Sequence, residues 1–350
     1  MTIPGSVIHA SAPIRICDLG GWTDTWFARH GKVLHLAVSP FVEVQIALVP
    51  RGTQPKPVLL DVKNYGDRYC FDPKNDARHK HPLLEAAIAR IGIPEAFDCE
   101  IGITSQAPSG GATGTSAAVC VALIGALDCL TPERLTPAQV AREAFNVETE
   151  MLGMQSGIQD QIASAYGGIN FIEMDSFPEA KVTQLDLPQQ FLGALENQIS
   201  LIYLGKPHSS SDVHGKVIKA LEASGTDNPQ LQRLSEAAQS GRDALIAGDL
   251  IAYGQTMAAN TTAQATLHPD LVSPEAQQVI EIAKAYGALG WKVNGAGGVG
   301  GSVTLLSGPD PQGKEAMVSA IMQASSAFQV IPIQLSPRGL ICWESNVESN

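Results

Sequence analysis

Apolar and polar positions change rhythm several times along the chain, and each change predicts an element. VLHLAV and FVEVQIALV alternate with the two-residue period of half-buried strands, are separated at Ser39-Pro40, and are followed by PVLLDV and RYCF in the same pattern. HPLLEAAIARIGI has helical spacing and leads into the strand-like CEIGIT. Residues 117–130, AAVCVALIGALDCL, are almost wholly apolar and too long for a strand, so they predict a buried helix. TPAQVAREAFNVETEML predicts a helix capped by Thr136, and QDQIASAYGG predicts another that ends at Gly167-Gly168, before the strand GGINFIEM. From Asp175 to Gln198 the texture is that of a loop. ISLIYLG then opens a second unit containing several helices, WKVN, SVTLL, a helix through EAMVSAIMQAS, and FQVIPIQLS. Helices and strands mix without strict alternation, which favours an α+β class over a doubly wound parallel sheet. Two domains are expected, residues 1–185 and 186–350, in line with the length of the chain.

Charge narrows the partners. The formal net charge is −12, and no run of Lys or Arg is long enough to follow a phosphate backbone, so nucleic acid and anionic membrane are excluded as expected partners. An anionic ligand must instead be held locally, by backbone N–H groups, a metal ion or a few placed cations. The six cysteines form no C-x-x-C pair and several lie in apolar runs, as expected of buried free thiols in a reducing compartment. There is neither a basic stretch leading into an apolar core at the start nor an apolar run approaching the roughly 20 residues of a membrane span. The expectation is a soluble cytoplasmic protein.

Candidate chemistry concentrates in four places. Pro108-Ser-Gly-Gly-Ala-Thr-Gly-Thr-Ser-Ala-Ala118 follows a strand, carries little side-chain bulk and opens into the apolar helix. Small residues there let the backbone approach a ligand, and a helix start offers unpaired N–H groups with a positive dipole end. The bland alternative is a turn with a Ser/Thr cap. No G-x-x-x-x-G-K-[ST] occurs, so any triphosphate site here is not a P-loop of the usual kind. In KVNGAGGVGGSVTLL the glycines at 295, 297 and 300 satisfy a dinucleotide-binding spacing. A strand follows them instead of a helix, and no acid lies between Ala320 and Gln323, so NAD is set aside. A hydrolase elbow is absent too, because Met154 stands two before Ser156. Asp160, in SGIQDQ at a helix start, is either a reactive carboxylate or an ordinary cap. In KPHSSSDVHGK, His208, Asp212 and His214 could ligate a metal, but Ser209-x-x-Asp212 reads better as a capping box. His30 and His35 are read as structural or substrate-adjacent.

Three segments together resemble the GHMP kinases, the superfamily of galactokinase, homoserine kinase, mevalonate kinase and phosphomevalonate kinase. Residues 108–118 are similar to the signature P-x-x-x-G-L-G-S-S-A-A, with Thr113 and Thr115 in place of the commoner Leu and Ser. Ala12-Pro-Ile-Arg15-Ile-Cys-Asp-Leu-Gly20-Gly21-Trp22-Thr23-Asp24 resembles the sugar-kinase motif A-P-x-R-…-G-x-x-T-D, with the G-G-W-T-D-T wording of fucokinases and bacterial heptose-phosphate kinases. Residues 294–301 are similar to the glycine-rich C-terminal motif. The three stand in the family's order, and the resemblance extends over nearly the whole chain.

The resemblance implies a two-domain fold, an N-terminal ribosomal-protein-like α/β domain and a C-terminal ferredoxin-like α+β domain with the active site between them. It implies transfer of the γ-phosphoryl group of ATP, with Mg2+, to a sugar hydroxyl, the anomeric one, giving a sugar 1-phosphate. Carried over residue by residue, the phosphates would lie on Pro108, Gly110, Gly111, Ala112, Thr113, Gly114, Thr115 and Ser116, with Gly297 and Gly298 closing over them. Asp160 would be the base and Arg15 its cationic partner, while Gly21, Trp22, Thr23 and Asp24 would face the sugar. Ser116 and Glu148 would lie beside the metal. Glu150 rivals Glu148, and on a regular helix the two point about 200° apart, so only one faces inward. Arg15 and the Thr-Asp pair argue against a mevalonate-type kinase. A non-catalytic sugar or nucleotide sensor on the same scaffold is the other reading. The expected partners are ATP and a small sugar or sugar phosphate, with a homodimer left open, and Arg29, Lys32, Lys206 or Lys292 could meet a phosphate on the sugar.

Overall fold

The strands of the first half pair, together with one strand from the C-terminal end, into one eight-stranded sheet in the computed structural model, which describes residues 6–78, 80–131, 134–207, 215, 217–219, 221 and 228–346. The first half runs β1 (Ser6–Leu19), β2 (Gly31–Pro50), β3 (Val58–Val62), β4 (Asp67–Phe71), α1 (Pro82–Ile91), β5 (Phe97–Ser105), α2 (Thr115–Asp128), α3 (Pro137–Asn146), α4 (Gln159–Tyr166), β6 (Ile169–Ser176) and β7 (Glu179–Gln184). The second half runs α5 (Gln189–Gln198), β8 (Ile199–Tyr203), α6 (Pro229–Ala247), α7 (Leu250–Leu267), α8 (Pro274–Ala285), β9 (Gly290–Val293), β10 (Ser302–Leu306), α9 (Pro311–Ala324), β11 (Gln329–Ile331) and β12 (Ile341–Asn346).

The large sheet is ordered β12-β1-β2-β5-β3-β4, with β6 on β2 and β7 on β6. Ser39-Pro40 does not divide two strands. β2 runs through it, and the pair bulges out of the ladder where pairing with β1 jumps from Pro13↔Phe41 to Ile14↔Val38. A proline cannot donate to a ladder, so the bulge is where it is tolerated. On either side of it β2 has a different neighbour, β6 for residues 31–36 and β5 for residues 42–50. The apolar helix α2 lies against β1 and β2 and is buried all round, as a helix without a polar face must be.

The smaller sheet is wholly antiparallel with the order β11-β8-β10-β9, the fourth-first-third-second arrangement expected of a ferredoxin-like unit. Its own core includes Ile202, Val279, Ile280, Val303, Leu305 and Ile321.

The division at 185/186 does not follow the packing. β12, at the C-terminal end, pairs antiparallel with β1 and closes the edge of the first sheet, which would otherwise present unpaired backbone. Ala238, Leu245, Tyr253 and Met257 of α6 and α7 also belong to the large core. The loop-like stretch after Asp175 holds β7, whose mostly exposed side chains give no apolar alternation, and α5. All six cysteines are free. Cys17, Cys99 and Cys120 are buried as expected, but Cys342 is exposed on β12. Among the described residues no helix is long and apolar enough to cross a membrane.

Candidate active site

β1 is the rail on which the site is built. It carries Arg15 and Asp18 to a cavity of about 360 Å3 whose other walls come from the glycine loop before α2, the start of α4, residues 22 and 24–27 and the turn after β9. The loop is held by β1 itself: Arg15 N–H donates to Thr113 O at 2.9 Å, and Arg15 Nη1 donates to Ala112 O. Gly114 is the N-cap of α2, with φ +70°, and no side chain caps the helix, so its first-turn N–H groups are left for a ligand. A Cβ at 114 would also lie 3.1 Å from Asp160 Cγ and 3.3 Å from Arg15 Cγ. Glycine here therefore satisfies the backbone and lets the loop approach the charged pair.

That pair is bidentate. Arg15 Nε donates to Asp160 Oδ1 at 2.8 Å and Nη2 to Oδ2 at 3.2 Å, with the guanidinium buried and Asp160 partly open to the cavity. Burial alone would lower the Arg15 pKa, but Asp160, Asp18 and Asp24 outweigh it and hold the group charged. Asp24 is buried at the start of α4, where its Oδ2 accepts from Gln159 N–H at 3.0 Å. Burial first, then the neighbouring Asp160 and Asp18 charges, push its pKa up to about 6 against the Gln159 N–H.

Glu148 and Glu150 lie in a π-helical turn, residues 147–151, that continues α3. Glu148 is buried on the cavity and accepts from Gln161 Nε2 at 2.8 Å; burial, aided by the Asp160 charge, raises its pKa to about 7. Glu150 turns outward to Arg90, 3.3 Å away. Ser116 also lines the cavity. One hydroxyl and one carboxylate suit a hard cation that takes its remaining oxygens from a nucleotide and water. Among the described residues no group of three His, Cys, Asp or Glu side chains could hold a metal unaided.

Several expected positions fall elsewhere. Thr23 is buried in the β1–β2 connection, donating to Gly20 O and Lys32 O. Gly21 sits beside the Asp18 carboxylate, where a Cβ would come within 2.7 Å of Oδ2, and neither Gly21 nor Pro108 lines the cavity. Gly297 and Gly298 do not reach the cavity. A Cβ on Gly297 would overlap Leu271 O, and Gly298 N–H donates to that same carbonyl at 3.0 Å. Gly295 is the glycine that meets the loop, with its Cβ position 3.0 Å from Ala112 O, and Ser302 Oγ donates to Gly111 O at 2.6 Å. His35 is buried and structural, its Nε2 accepting from Asn170 Nδ2 at 3.1 Å, while burial lowers its pKa to about 3. His208, Ser209, Asp212 and His214 lie outside the described residues.

Asp18 and Lys292 were not anticipated as a pair. Both are fully buried, with Lys292 Nζ 3.5 Å from Asp18 Oδ1, which also accepts from Gly295 N–H at 2.9 Å. Burial alone would raise the Asp18 pKa, but Lys292, Arg15 and the Gly295 N–H bring it below the usual carboxylate value. A charge inside the apolar run IRICDL was the available signal. Lys292 is thus committed to Asp18 and Gln264, Lys32 to Gln239 and Lys206 to Glu275, and Arg29 does not line the cavity.

Comparison with known proteins adds a lineage to this geometry. Residues 82–168 match the model for the GHMP kinases N terminal domain and residues 242–324 that for the GHMP kinases C terminal domain. The chain is 26% identical to a bifunctional fucokinase/GDP-fucose pyrophosphorylase of Arabidopsis thaliana over 84% of its own length and 29% of the plant protein. It is 31% identical to a mevalonate kinase of Thermococcus sibiricus over 62% of each chain. It is 25% identical to the D-glycero-alpha-D-manno-heptose 7-phosphate kinase of Campylobacter jejuni, over 92% of its own length and 95% of that protein. The chain thus spans less than two thirds of the plant and archaeal relatives. The crystal structure of a D-glycero-D-manno-heptose 1-phosphate kinase from Bacteroides thetaiotaomicron superposes with a TM-score of 0.75 at 21% identity, over 96% of this chain and 98% of that one.

Proposed function

Because the chain belongs to the GHMP kinase superfamily, we propose that it transfers the γ-phosphoryl group of ATP to a sugar hydroxyl, the anomeric one, giving ADP and a sugar 1-phosphate. The observation that carries this reading is the Arg15–Asp160 pair, held against the rim of a glycine loop that opens into a helix.

Phosphoryl transfer needs little covalent chemistry from the protein; it needs positioning and charge. The free N–H groups at the start of α2 receive phosphate oxygens, with the small side chains of residues 110–114 keeping the backbone within reach. Asp160 accepts the hydroxyl proton as the sugar oxygen bonds to the γ-phosphorus and the bond to the ADP oxygen breaks. Arg15 fixes Asp160 through its two-point contact, and its charge stands beside the phosphate that develops. Mg2+, when bound, would offset charge on the β- and γ-phosphate oxygens, with Ser116 and Glu148 as the protein's ligands. Asp24 accepts from a ring hydroxyl.

The test is ADP release from ATP across free hexoses, hexuronic acids and heptose phosphates, followed by NMR of the product. A phosphorus signal coupled to the anomeric proton is expected. ADP release that no sugar stimulates, or phosphate on another carbon, overturns the proposal at that level. Mevalonate belongs in the same panel because of the 31% identical archaeal relative; Arg15 and the Thr23-Asp24 pair weigh against its turnover.

A further inference from the structure

Two thiols that the proposed reaction does not use meet at the C-terminal end of α2. Cys129 caps that helix, its N–H donating to Gly125 O at 3.3 Å, so Gly125 and Cys129 stand one turn apart on the same face. Gly125 takes Leu340 against its backbone, where a Cβ would lie only 2.4 Å from Leu340 Cδ2. Cys342, on β12, stands two residues beyond Leu340, the step that returns an extended chain to the same face. Four residues of helix advance about 6 Å and two of strand about 6.6 Å, so seating Leu340 on Gly125 brings Cys342 onto Cys129. The two side chains are hydrogen-bonded, with Cys342 S–H as donor, and the Arg134 guanidinium donates to the same Cys129 sulfur. Neither thiol is bridged; Cys342 is exposed and Cys129 half-buried, unlike the buried Cys17, Cys99 and Cys120.

From this contact we infer that Cys129 and Cys342 are a reversible oxidation site, joined by hydrogen peroxide into a disulfide that fastens the C-terminal strand to α2. The hydrogen bond from Cys342, and then Arg134, pull the Cys129 pKa down to about 6 against burial and the Asp128 charge, while Cys342, as the donor, is pushed up. Cys129 is therefore the attacking thiolate. It bonds to one peroxide oxygen, the O–O bond breaks, and the hydroxide that leaves takes the Cys342 proton to become water. The Cys342 thiolate then attacks the sulfenic acid at Cys129. The S–S bond forms, the S–O bond breaks, and the second hydroxide is protonated by solvent, so that two electrons pass from the sulfurs to the peroxide. The bridge closes a loop spanning most of the chain, the case in which a crosslink restricts the unfolded chain most. Cys129 stands about 20 Å along α2 from Gly114, and neither sulfur lines the cavity, so the crosslink acts on the hold of β12 and not on phosphoryl transfer.

The full-length protein, reduced and then treated with hydrogen peroxide at about pH 7, tests this by intact mass, peptide mapping and thermal melting. It should lose the mass of two hydrogens, yield a linked peptide pair containing Cys129 and Cys342, and melt about 5 °C higher, all reversed by dithiothreitol. Cys342→Ser should instead gain oxygen at Cys129 with no bridge and no rise in melting temperature. Arg134→Gln should slow bridge formation several-fold at about pH 7 and less at about pH 9, where the thiol ionises unaided. An unchanged mass, a link to any other cysteine or between two copies, or a bridge that leaves the melting temperature where it was overturns the inference.

Discussion

Asp24, Glu148 and Asp160 share one cavity but differ in surroundings, and the difference fits each to a separate role in the proposed reaction. Asp160 is gripped at both oxygens by the Arg15 guanidinium and is partly exposed, the condition of a carboxylate that is held in place and reachable. Arg15→Lys keeps the charge but loses the two-point fork, and should lower kcat by about 10²-fold with a smaller change in KM for ATP. Glu148→Gln should weaken the dependence on Mg2+ and lower kcat, while Glu150→Gln, on the outer face, should leave steady-state constants unchanged. Equal effects from the two would contradict the inward placement of Glu148. Asp24 links the site to stability. Its folded pKa, about 6, lies above the ordinary 3.8, so the folded chain keeps the proton longer than the unfolded one. The associated stability is fully present below about pH 3.8 and is lost as pH rises through about 6, a difference on the order of 3 kcal/mol. Urea melts from pH 4 to 7 should show this fall in the wild type and a flatter profile in Asp24→Asn.

At the scale of elements, the site is a meeting of helix starts with one strand and one turn. Gly157 lets α4 begin against Asp24, since a Cβ there would overlap the carboxylate. Gly157→Ala should therefore raise KM for the sugar several-fold before it affects ATP binding, which a KM comparison would show. Local pattern carried much of this. The small-residue run at 108–116 and the apolar helix after it stand out because no core or surface segment needs both features together. Glu148 could not be chosen over Glu150 from sequence, since a π-helical turn leaves no mark in apolar spacing. The glycine-rich turn was visible as a turn, but which glycine meets the phosphate loop depends on where Leu271 packs. Gly297→Val accordingly acts through Leu271 and the positive φ, not through the phosphate loop. β7 and β12 escaped for a related reason: both are largely exposed, and their place is set by the strand edges they cover.

Across the whole molecule, the two sheets are tied by buried charge as well as by apolar packing. Asp18 on β1 reaches Lys292 on β9 and the Gly295 N–H beyond it, so the second sheet is locked against the strand that carries Arg15. Lys292→Met should leave the buried Asp18 carboxylate without its lysine partner and cost about 3 kcal/mol, with Arg15 and the Gly295 N–H still beside it, and adding Asp18→Asn should recover part of that loss in the same denaturation experiment. Single variants as stable as the wild type would contradict this tie. On the proposed reading, the halves of the molecule are fastened so that one carboxylate faces the phosphate being transferred. Single-turnover phosphoryl transfer in Asp160→Asn tests that most directly. Unchanged affinity for ATP with transfer reduced by about 10³-fold or more is the predicted result; transfer near the wild-type rate would contradict it.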